Sequence, residues 1–325
     1  MAGSEATSRR PDPSTLVERM RTGDRLALAR LITHVENRTP AVPAIMKAIH
    51  GLGGDAFVIG ITGPPGAGKS TVVDRLVALL RARGQTVGVV AVDPSSPFTG
   101  GAVLGDRIRM QGHAGDAGIF IRSMATRGSL GGLARATADV ATVLDASGRD
   151  LVMIETVGVG QDEVDIVRLA DITVVILVPG MGDDVQIIKA GIMEIADIFV
   201  INKSDREGAE RVEREIRALQ SLATRSDNWT PPIVKTVATE GTGIQELAAA
   251  IGEYEAYLQK ENLVLKRNIQ NWQERLIEML RDALLEKARQ QIGDGNVARY
   301  AAEVAEHKRD PYTLVEEIVS TMGQK

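Results

Sequence analysis

A glycine-rich segment of the chain has the residue spacing of a loop that binds phosphate. Residues 63–70 read Gly-Pro-Pro-Gly-Ala-Gly-Lys-Ser and match the pattern G-x-x-x-x-G-K-[ST], directly after an apolar run and before a helical one. Glycine lets backbone N–H groups turn onto phosphate oxygens, and the positive end of the following helix adds to the attraction. We therefore expect Lys69 to reach the β- and γ-phosphates of a nucleotide and Ser70 to give its hydroxyl to Mg²⁺. The predicted nucleotide contacts in this segment are Gly63, Pro64, Pro65, Gly66, Ala67, Gly68, Lys69, Ser70 and Thr71.

A second segment, farther along the chain, predicts the base of that nucleotide. Residues 202–205 read Asn-Lys-Ser-Asp and fit the N-K-x-D pattern of guanine-binding loops. Guanine offers two donors on one edge, which the carboxylate of Asp205 can accept, whereas adenine presents a lone pair that a carboxylate repels. Asn202 can bridge the base and the glycine-rich loop, and the stem of Lys203 can lie across the purine. The sequence therefore predicts GTP and GDP as ligands.

Two further features bear on recognition of the base. The backbone of Ala238 and Thr239, which follow the last predicted strand, is a candidate contact to the guanine oxygen. Asp205 has an alternative role, because it precedes a helical stretch and Asp is a common N-cap residue.

Acidic residues after two predicted strands are candidates for holding the metal ion that a triphosphate requires. Asp93 can bind Mg²⁺ directly or through water. Glu155 opens the segment Glu-Thr-Val-Gly, which has the pattern of a γ-phosphate sensor; Glu155 would bind a metal-bound water, and the N–H of Gly158 would contact the γ-phosphate. Asp106, in a glycine-rich loop, is a third acid, with a helix cap or a surface charge as its alternative role. The predicted metal ligands are Ser70, Asp93, Asp106 and Glu155.

Transfer of the γ-phosphate to water requires positioning and charge neutralisation rather than covalent chemistry. Lys69 and Glu155 are the predicted catalytic residues, and Gln161, the glutamine close to the sensor segment, is the candidate for orienting the water. We expect slow intrinsic turnover that a partner accelerates. Arginines that could supply a charge-stabilising guanidinium are Arg107, Arg109, Arg122 and Arg127.

Short apolar runs separated by helical stretches are expected to bring these loops together. Each run is continuous rather than alternating, which is typical of strands buried on both faces of a parallel sheet. Repeated β-α units predict an α/β protein with a doubly wound, mostly parallel sheet. The predicted strands are residues 57–61, 87–92, 151–154, 172–178, 198–201 and 233–237.

Helical extensions are predicted on both sides of this α/β domain. We expect a tail with a helical extension over residues 1–52, the nucleotide-binding domain over 53–258 and a C-terminal helical extension over 259–325. The last contains an apolar stripe with alternating spacings of four and three residues, from Leu265 to Ala283, as in helices that pack against another helix. The stripe favours dimerisation slightly over packing back onto its own domain.

The amino-acid composition bears on which partners the protein can bind and where in the cell it is expected. The chain has 325 residues, 44% hydrophobic and 25% charged, with 3% aromatic residues and a net charge of −5. Nucleic acid and anionic membranes are therefore poor candidates for partners. There are no cysteines, no apolar run long enough to span a membrane and a polar N-terminus, which together favour a cytoplasmic protein.

These motifs together resemble the MeaB/ArgK-type P-loop GTPases, which are chaperones of adenosylcobalamin-dependent acyl-CoA mutases such as methylmalonyl-CoA mutase. Glu rather than Asp at position 155 is itself a mark of this branch. The resemblance covers nearly all of the predicted nucleotide-binding domain. The segments that carry it are residues 63–70, 91–97, 99–101, 104–106, 130–132, 155–161, 182–184 with Gln186 and Lys189, and 202–205.

The resemblance implies a function beyond nucleotide binding. Members of the family use GTP as a timing signal when they load or guard the cobalamin cofactor of the mutase and eject damaged cofactor. It also implies a homodimer through the C-terminal helices and a third switch, at residues 180–189, that contacts the mutase. The alternatives are a metallochaperone GTPase, for which the four scattered histidines form no evident ligand cluster, a nucleotide-binding kinase of a transport system, and a scaffold without turnover.

Overall fold

The strands form one parallel sheet with the spatial order β3-β2-β4-β1-β5-β6-β7. The computed structural model describes residues 12–93, 111–113, 115–125, 132–156, 169–180, 195–222, 227–261 and 263–322. Because β1 lies between β4 and β5, the loops that follow these three strands meet at one edge, where α/β proteins bind ligands. The strands are β1 Phe57–Thr62, β2 Val87–Asp93, β3 Ile119–Ala125, β4 Leu151–Glu155, β5 Ile172–Leu177, β6 Ile198–Asn202 and β7 Ile233–Thr236.

Helices lie before, between and after these strands. Three precede β1, in the region where the sequence predicts a helical extension, and α4 starts at Lys69, the seventh residue of the glycine-rich segment. They are α1 Pro13–Arg21, α2 Arg25–Glu36, α3 Val42–Ile49, α4 Lys69–Ala82, α5 Gly132–Ala146, α6 Ala209–Leu222, α7 Ile244–Lys260, α8 Leu263–Ile292, α9 Asp294–Ala305 and α10 Pro311–Met322.

Strand β3 was not among the six predicted strands. Its central residues include Arg122 and Ser123, so its run is less apolar than the others. It lies at the edge of the sheet and pairs only with β2. A strand buried on fewer sides tolerates polar residues, and the rule that found the central strands misses it.

The two faces of the sheet are covered by different helices, which explains the continuous apolar runs. One face packs against α4 and α7, with Ile59, Ile61 and Val89 in its core. The other packs against α5 and the N-terminal helices, with Val90 and Val152 buried. The strands β4, β5 and β6 are buried at every position.

The N-terminal helices are held to the edge strand by polar contacts as well. Arg25 donates from Nη1 to the carbonyl of Asp116, just before β3, at 2.7 Å. At the other end of α2, the Glu36 carboxylate accepts from the guanidinium of Arg122 on β3. Arg122 was a candidate for stabilising charge during hydrolysis; in the structure it ties α2 to the sheet instead.

The C-terminal residues group separately, with the boundary between Val264 and Leu265 inside α8. No residue of α8 is buried, and Leu265, Ile269, Trp272 and Leu276 of the predicted stripe are exposed. The described part of the chain contains no helix that is long and apolar enough to cross a membrane. The three predicted domain ranges stay predictions.

Candidate functional site

The glycine-rich loop runs from the end of β1 to the start of α4, and two of its glycines are required by what lies beside them. Gly63 has φ of +140°, and a Cβ there would lie 2.1 Å from the carbonyl oxygen of Ile176 in β5. Gly68 has φ of +88°, and its Cβ would lie 2.4 Å from Nδ2 of Asn202. The loop therefore packs directly against the neighbouring strand at Gly63 and against the N-K-x-D segment at Gly68, which leaves no room for a side chain at these two positions.

Lys69 is buried against this loop. Its Nζ donates to the carbonyl of Gly63 at 2.7 Å and to that of Pro64 at 3.2 Å. The ammonium group thus lies over the loop whose N–H groups are predicted to hold phosphate.

Ser70 and Glu155 come together at the start of α4. Ser70 Oγ donates to Glu155 Oε1 at 2.6 Å, and both residues are buried. Two oxygen-bearing side chains at a buried helix start fit the preference of Mg²⁺ for oxygen ligands. The structure thereby brings together two of the four predicted metal ligands.

The remaining predicted residues of the phosphate end are described only in part. Asp93 is the last residue of β2, two residues past Ala91, which pairs with Glu155. The side chain of Asp93 and the whole of Asp106, Gly158 and Gln161 lie outside the described residues. Among the side chains that the structure does describe, no three His, Asp or Glu groups converge in a way that would hold a metal ion.

The start of the sensor segment is attached to β1. The N–H of Thr156 donates to the carbonyl of Ile61 at 3.0 Å, which extends the pairing of β4 with β1 by one residue. The hydroxyl of Thr156 also donates to Oγ1 of Thr62 at 3.0 Å. These contacts fix the position of Glu155 relative to the glycine-rich loop.

The amide of Asn202 joins three loops. Its Nδ2 donates to the carbonyl of Ala67 at 2.8 Å. Its Oδ1 accepts from the hydroxyl of Thr236 at 3.1 Å and from the N–H of Ala238 at 3.2 Å. Asn202 is 3% exposed, so these bonds are made away from water. The bridge from Asn202 to the glycine-rich loop is the contact that the sequence predicted, whereas the role of Thr236 was missed, because a threonine at the end of a strand carries no motif.

Lys203 and Asp205 lie beside this bridge. Lys203 has φ of +56° and donates from Nζ to the carbonyl of Gly66 at 2.8 Å. Asp205 is exposed and its carboxylate makes no hydrogen bond within the described residues. The alternative role of Asp205 as an N-cap is not supported, since α6 begins only at Ala209. Its carboxylate is thus available to accept the donors of a guanine edge.

The parallel sheet, the glycine-rich loop before α4 and the N-K-x-D loop beside it define a P-loop protein that binds guanine nucleotides. The family model described as "Methylmalonyl Co-A mutase-associated GTPase MeaB" matches residues 28–292. The chain belongs to this family and is a GTP hydrolase, as the resemblance predicted.

Individual relatives agree with this assignment. A "Putative GTPase" of Pyrococcus abyssi is 50% identical over 94% of this chain and 95% of its own length. "GTPase ArgK" of Escherichia coli is 40% identical over 74% of this chain and 76% of its own length. The solved structure titled "Crystal structure of LAO/AO transport system kinase" covers 100% of both chains with 28% identity and a TM-score of 0.71. The predicted fold class is therefore confirmed.

Substitution of Asn202 by Asp tests the bridge. Asn202→Asp keeps the oxygen that accepts from Thr236 and Ala238 but turns a second oxygen towards the carbonyl of Ala67. Because a buried acceptor then faces another acceptor, we expect the affinity for GDP and GTP to fall at least about tenfold, or ~1.4 kcal/mol, by titration calorimetry. Thr236→Val is the matched control. It removes one of the two donors to Oδ1 of Asn202 and should lower the nucleotide affinity by less than Asn202→Asp does. Unchanged GDP affinity in Asn202→Asp would contradict the bridging role.

Proposed function

We propose that this GTPase is a G-protein chaperone that gates cofactor loading, protection and reactivation of an adenosylcobalamin-dependent acyl-CoA mutase. The description of the matching family names association with methylmalonyl-CoA mutase, which supports this client class. The observation that carries the proposal is the bond between Ser70 and Glu155, because it joins the phosphate-binding helix to the first residue of the sensor segment. A signal at the γ-phosphate can thereby reach the segment that starts at Glu155.

The residues of the phosphate end have separate roles in hydrolysis. Lys69 neutralises charge on the β- and γ-phosphates, and the hydroxyl of Ser70 and the carboxylate of Glu155 hold Mg²⁺ or its water. When bound, Mg²⁺ supplies charge neutralisation at the phosphate oxygens. Asp93 and Asp106 are further proposed ligands, with Gly158 as the γ-phosphate contact and Gln161 as the residue that orients water.

Glu155→Gln tests the metal role. Glutamine can still accept the hydrogen bond from Ser70, so the buried contact is preserved while the negative charge is lost. We expect the Mg²⁺ concentration that gives half-maximal GTP hydrolysis to rise about tenfold to a hundredfold, in a titration of phosphate release against Mg²⁺. Glu240→Gln, at an exposed position, is the control for loss of charge. An unchanged Mg²⁺ requirement would remove Glu155 from the metal site.

Asp205→Asn tests base recognition. An amide offers its own donors to the purine edge, and xanthine has a ring carbonyl where guanine has the amine that Asp205 is proposed to bind. We expect GTP affinity to fall and the preference to shift towards XTP, by competition against a fluorescent nucleotide. If the preference for GTP over XTP stays as in the unmodified protein, Asp205 does not recognise the base.

We propose two interfaces for the complex with the mutase. Residues 180–189 are the proposed contact with the mutase, and all but Gly180 lie outside the described residues. The exposed apolar side chains of α8 are the proposed dimer contact; Leu265 and Leu276 are 70% and 57% exposed in the single chain. Exposed apolar stripes of this extent on a helix favour burial against another helix. A cytoplasmic location stays a prediction from the sequence.

One chromatographic experiment tests both interfaces. Size-exclusion chromatography with light scattering should give a mass of about twice 34.8 kDa for the GTPase alone. With methylmalonyl-CoA mutase added, we expect co-elution whose extent differs between GDP and a non-hydrolysable GTP analogue. In Lys69→Ala, which lacks the proposed phosphate contact, the difference between the two nucleotides should vanish.

The outcomes separate the candidate functions. Failure to co-elute with any adenosylcobalamin-dependent mutase in either nucleotide would remove the chaperone function and leave a GTPase. A mass of one chain would remove the dimer. Label from the γ-phosphate found on protein rather than as free phosphate would favour the transport-system kinase, which is the name carried by the structural relative.

A further inference from the structure

Arg75 connects the phosphate-binding helix to the loop after β7. It lies on the exposed side of α4, and its Nη2 donates to the carbonyl of Thr239 at 2.8 Å. The two residues are 164 positions apart in the chain. The buried side of α4, which includes Val72 and Leu76, packs on the sheet, so the helix is a fixed support for this guanidinium.

The loop that receives this bond is tightly closed. The N–H of Glu240 donates to the carbonyl of Val237 at 2.9 Å, and the N–H of Val237 donates to the carbonyl of Thr242 at 3.1 Å. At the end of the loop, Gly243 lies so close to β7 that a Cβ would be 2.0 Å from the carbonyl of Lys235. Such a loop has little internal freedom, so contacts with its surroundings set where its tip lies.

Two of those contacts are on consecutive residues. The N–H of Ala238 is bound to Oδ1 of Asn202 at 3.2 Å, and the carbonyl of Thr239 is bound to Arg75. Between them, the N–H of Thr239 donates no hydrogen bond within the part of the chain that the structure describes. It is therefore the backbone donor at the tip that remains for a ligand.

We propose that Arg75 is a positioning residue for purine recognition: it holds the Thr239 peptide so that its N–H donates to the guanine O6. Arg75 itself touches no part of the nucleotide. The inference rests on the proposed guanine site, since it assigns the contact to the O6 edge while Asp205 binds the N1–H and amine edge. Arg75 closes a ring of contacts that runs from α4 through the loop and Asn202 to Ala67.

The test compares a ligand that has O6 with one that lacks it. Displacement of a fluorescent GDP measures the affinity for GDP and for 2-aminopurine riboside diphosphate, which keeps the amine but lacks O6 and the N1–H. Because each ligand is compared between the unmodified protein and the variant, the loss of the N1–H contact to Asp205 is the same on both sides of the comparison. For Arg75→Ala we expect GDP to bind about threefold to tenfold more weakly and the 2-aminopurine nucleotide to change less than twofold. The turnover number at saturating GTP should stay within twofold, because the phosphate end is untouched.

Two further variants distinguish positioning of the Thr239 peptide by Arg75 from a general effect of losing a positive charge. Arg83→Ala removes the same charge from an exposed position just past the end of α4 and should leave both affinities unchanged. Arg75→Lys keeps one charged donor on a flexible stem and should restore part of the GDP affinity.

Several results would overturn the proposal. Equal weakening of both nucleotides in Arg75→Ala, or a lower unfolding temperature together with that loss, would show a merely structural role. Unchanged GDP affinity would show that the bond to Thr239 is not used. Failure of the unmodified protein to prefer GDP over the 2-aminopurine nucleotide would instead contradict the proposed guanine site, which Arg75 only supports.

Discussion

The side-chain amide of Asn202 donates one hydrogen bond and accepts two, and the arrangement of the nucleotide site depends on these bonds. Its nitrogen faces Ala67 in the phosphate loop and its oxygen faces Thr236 and Ala238. In a buried position, each unmade bond of this kind costs about 1–3 kcal/mol, so the reversed amide is strongly disfavoured. The distance between the phosphate cradle and the base-binding loops is therefore set by the protein core before any nucleotide arrives.

The phosphate end is built on a different pair of strands. Glu155 and Ser70 meet where β4 lies beside β1, and Thr156 extends that pairing by backbone and hydroxyl bonds. The end of β4, as far as Thr156, is thus bonded to β1, the strand from which the glycine-rich loop starts. Glu155 is therefore held by the protein itself beside the start of α4, where it accepts the hydrogen bond from Ser70.

The sequence predicted the structural features that depend on the type of residue at a few neighbouring positions. The central strands were found because burial on both faces demands unbroken apolar runs. The phosphate loop was found from the spacing of its glycines, two of which lie where a Cβ would meet Ile176 and Asn202. Strand β3 was missed since an edge position tolerates Arg122. The contacts of Thr236 with Asn202 and of Arg75 with Thr239 join residues 34 and 164 positions apart, and neither has a local pattern.

The N-terminal helices share a core with the sheet. Leu28, Leu31 and Ile45 lie in the same apolar cluster as Val90 and Val152. The two ends of α2 are also bound at the edge of the sheet, one to the carbonyl of Asp116 just before β3 and the other to Arg122 on β3. Loss of these helices would therefore expose apolar surface of the sheet. The N-terminal helices thereby stabilise the part of the sheet formed by β2 and β4, the strands that end at Asp93 and Glu155.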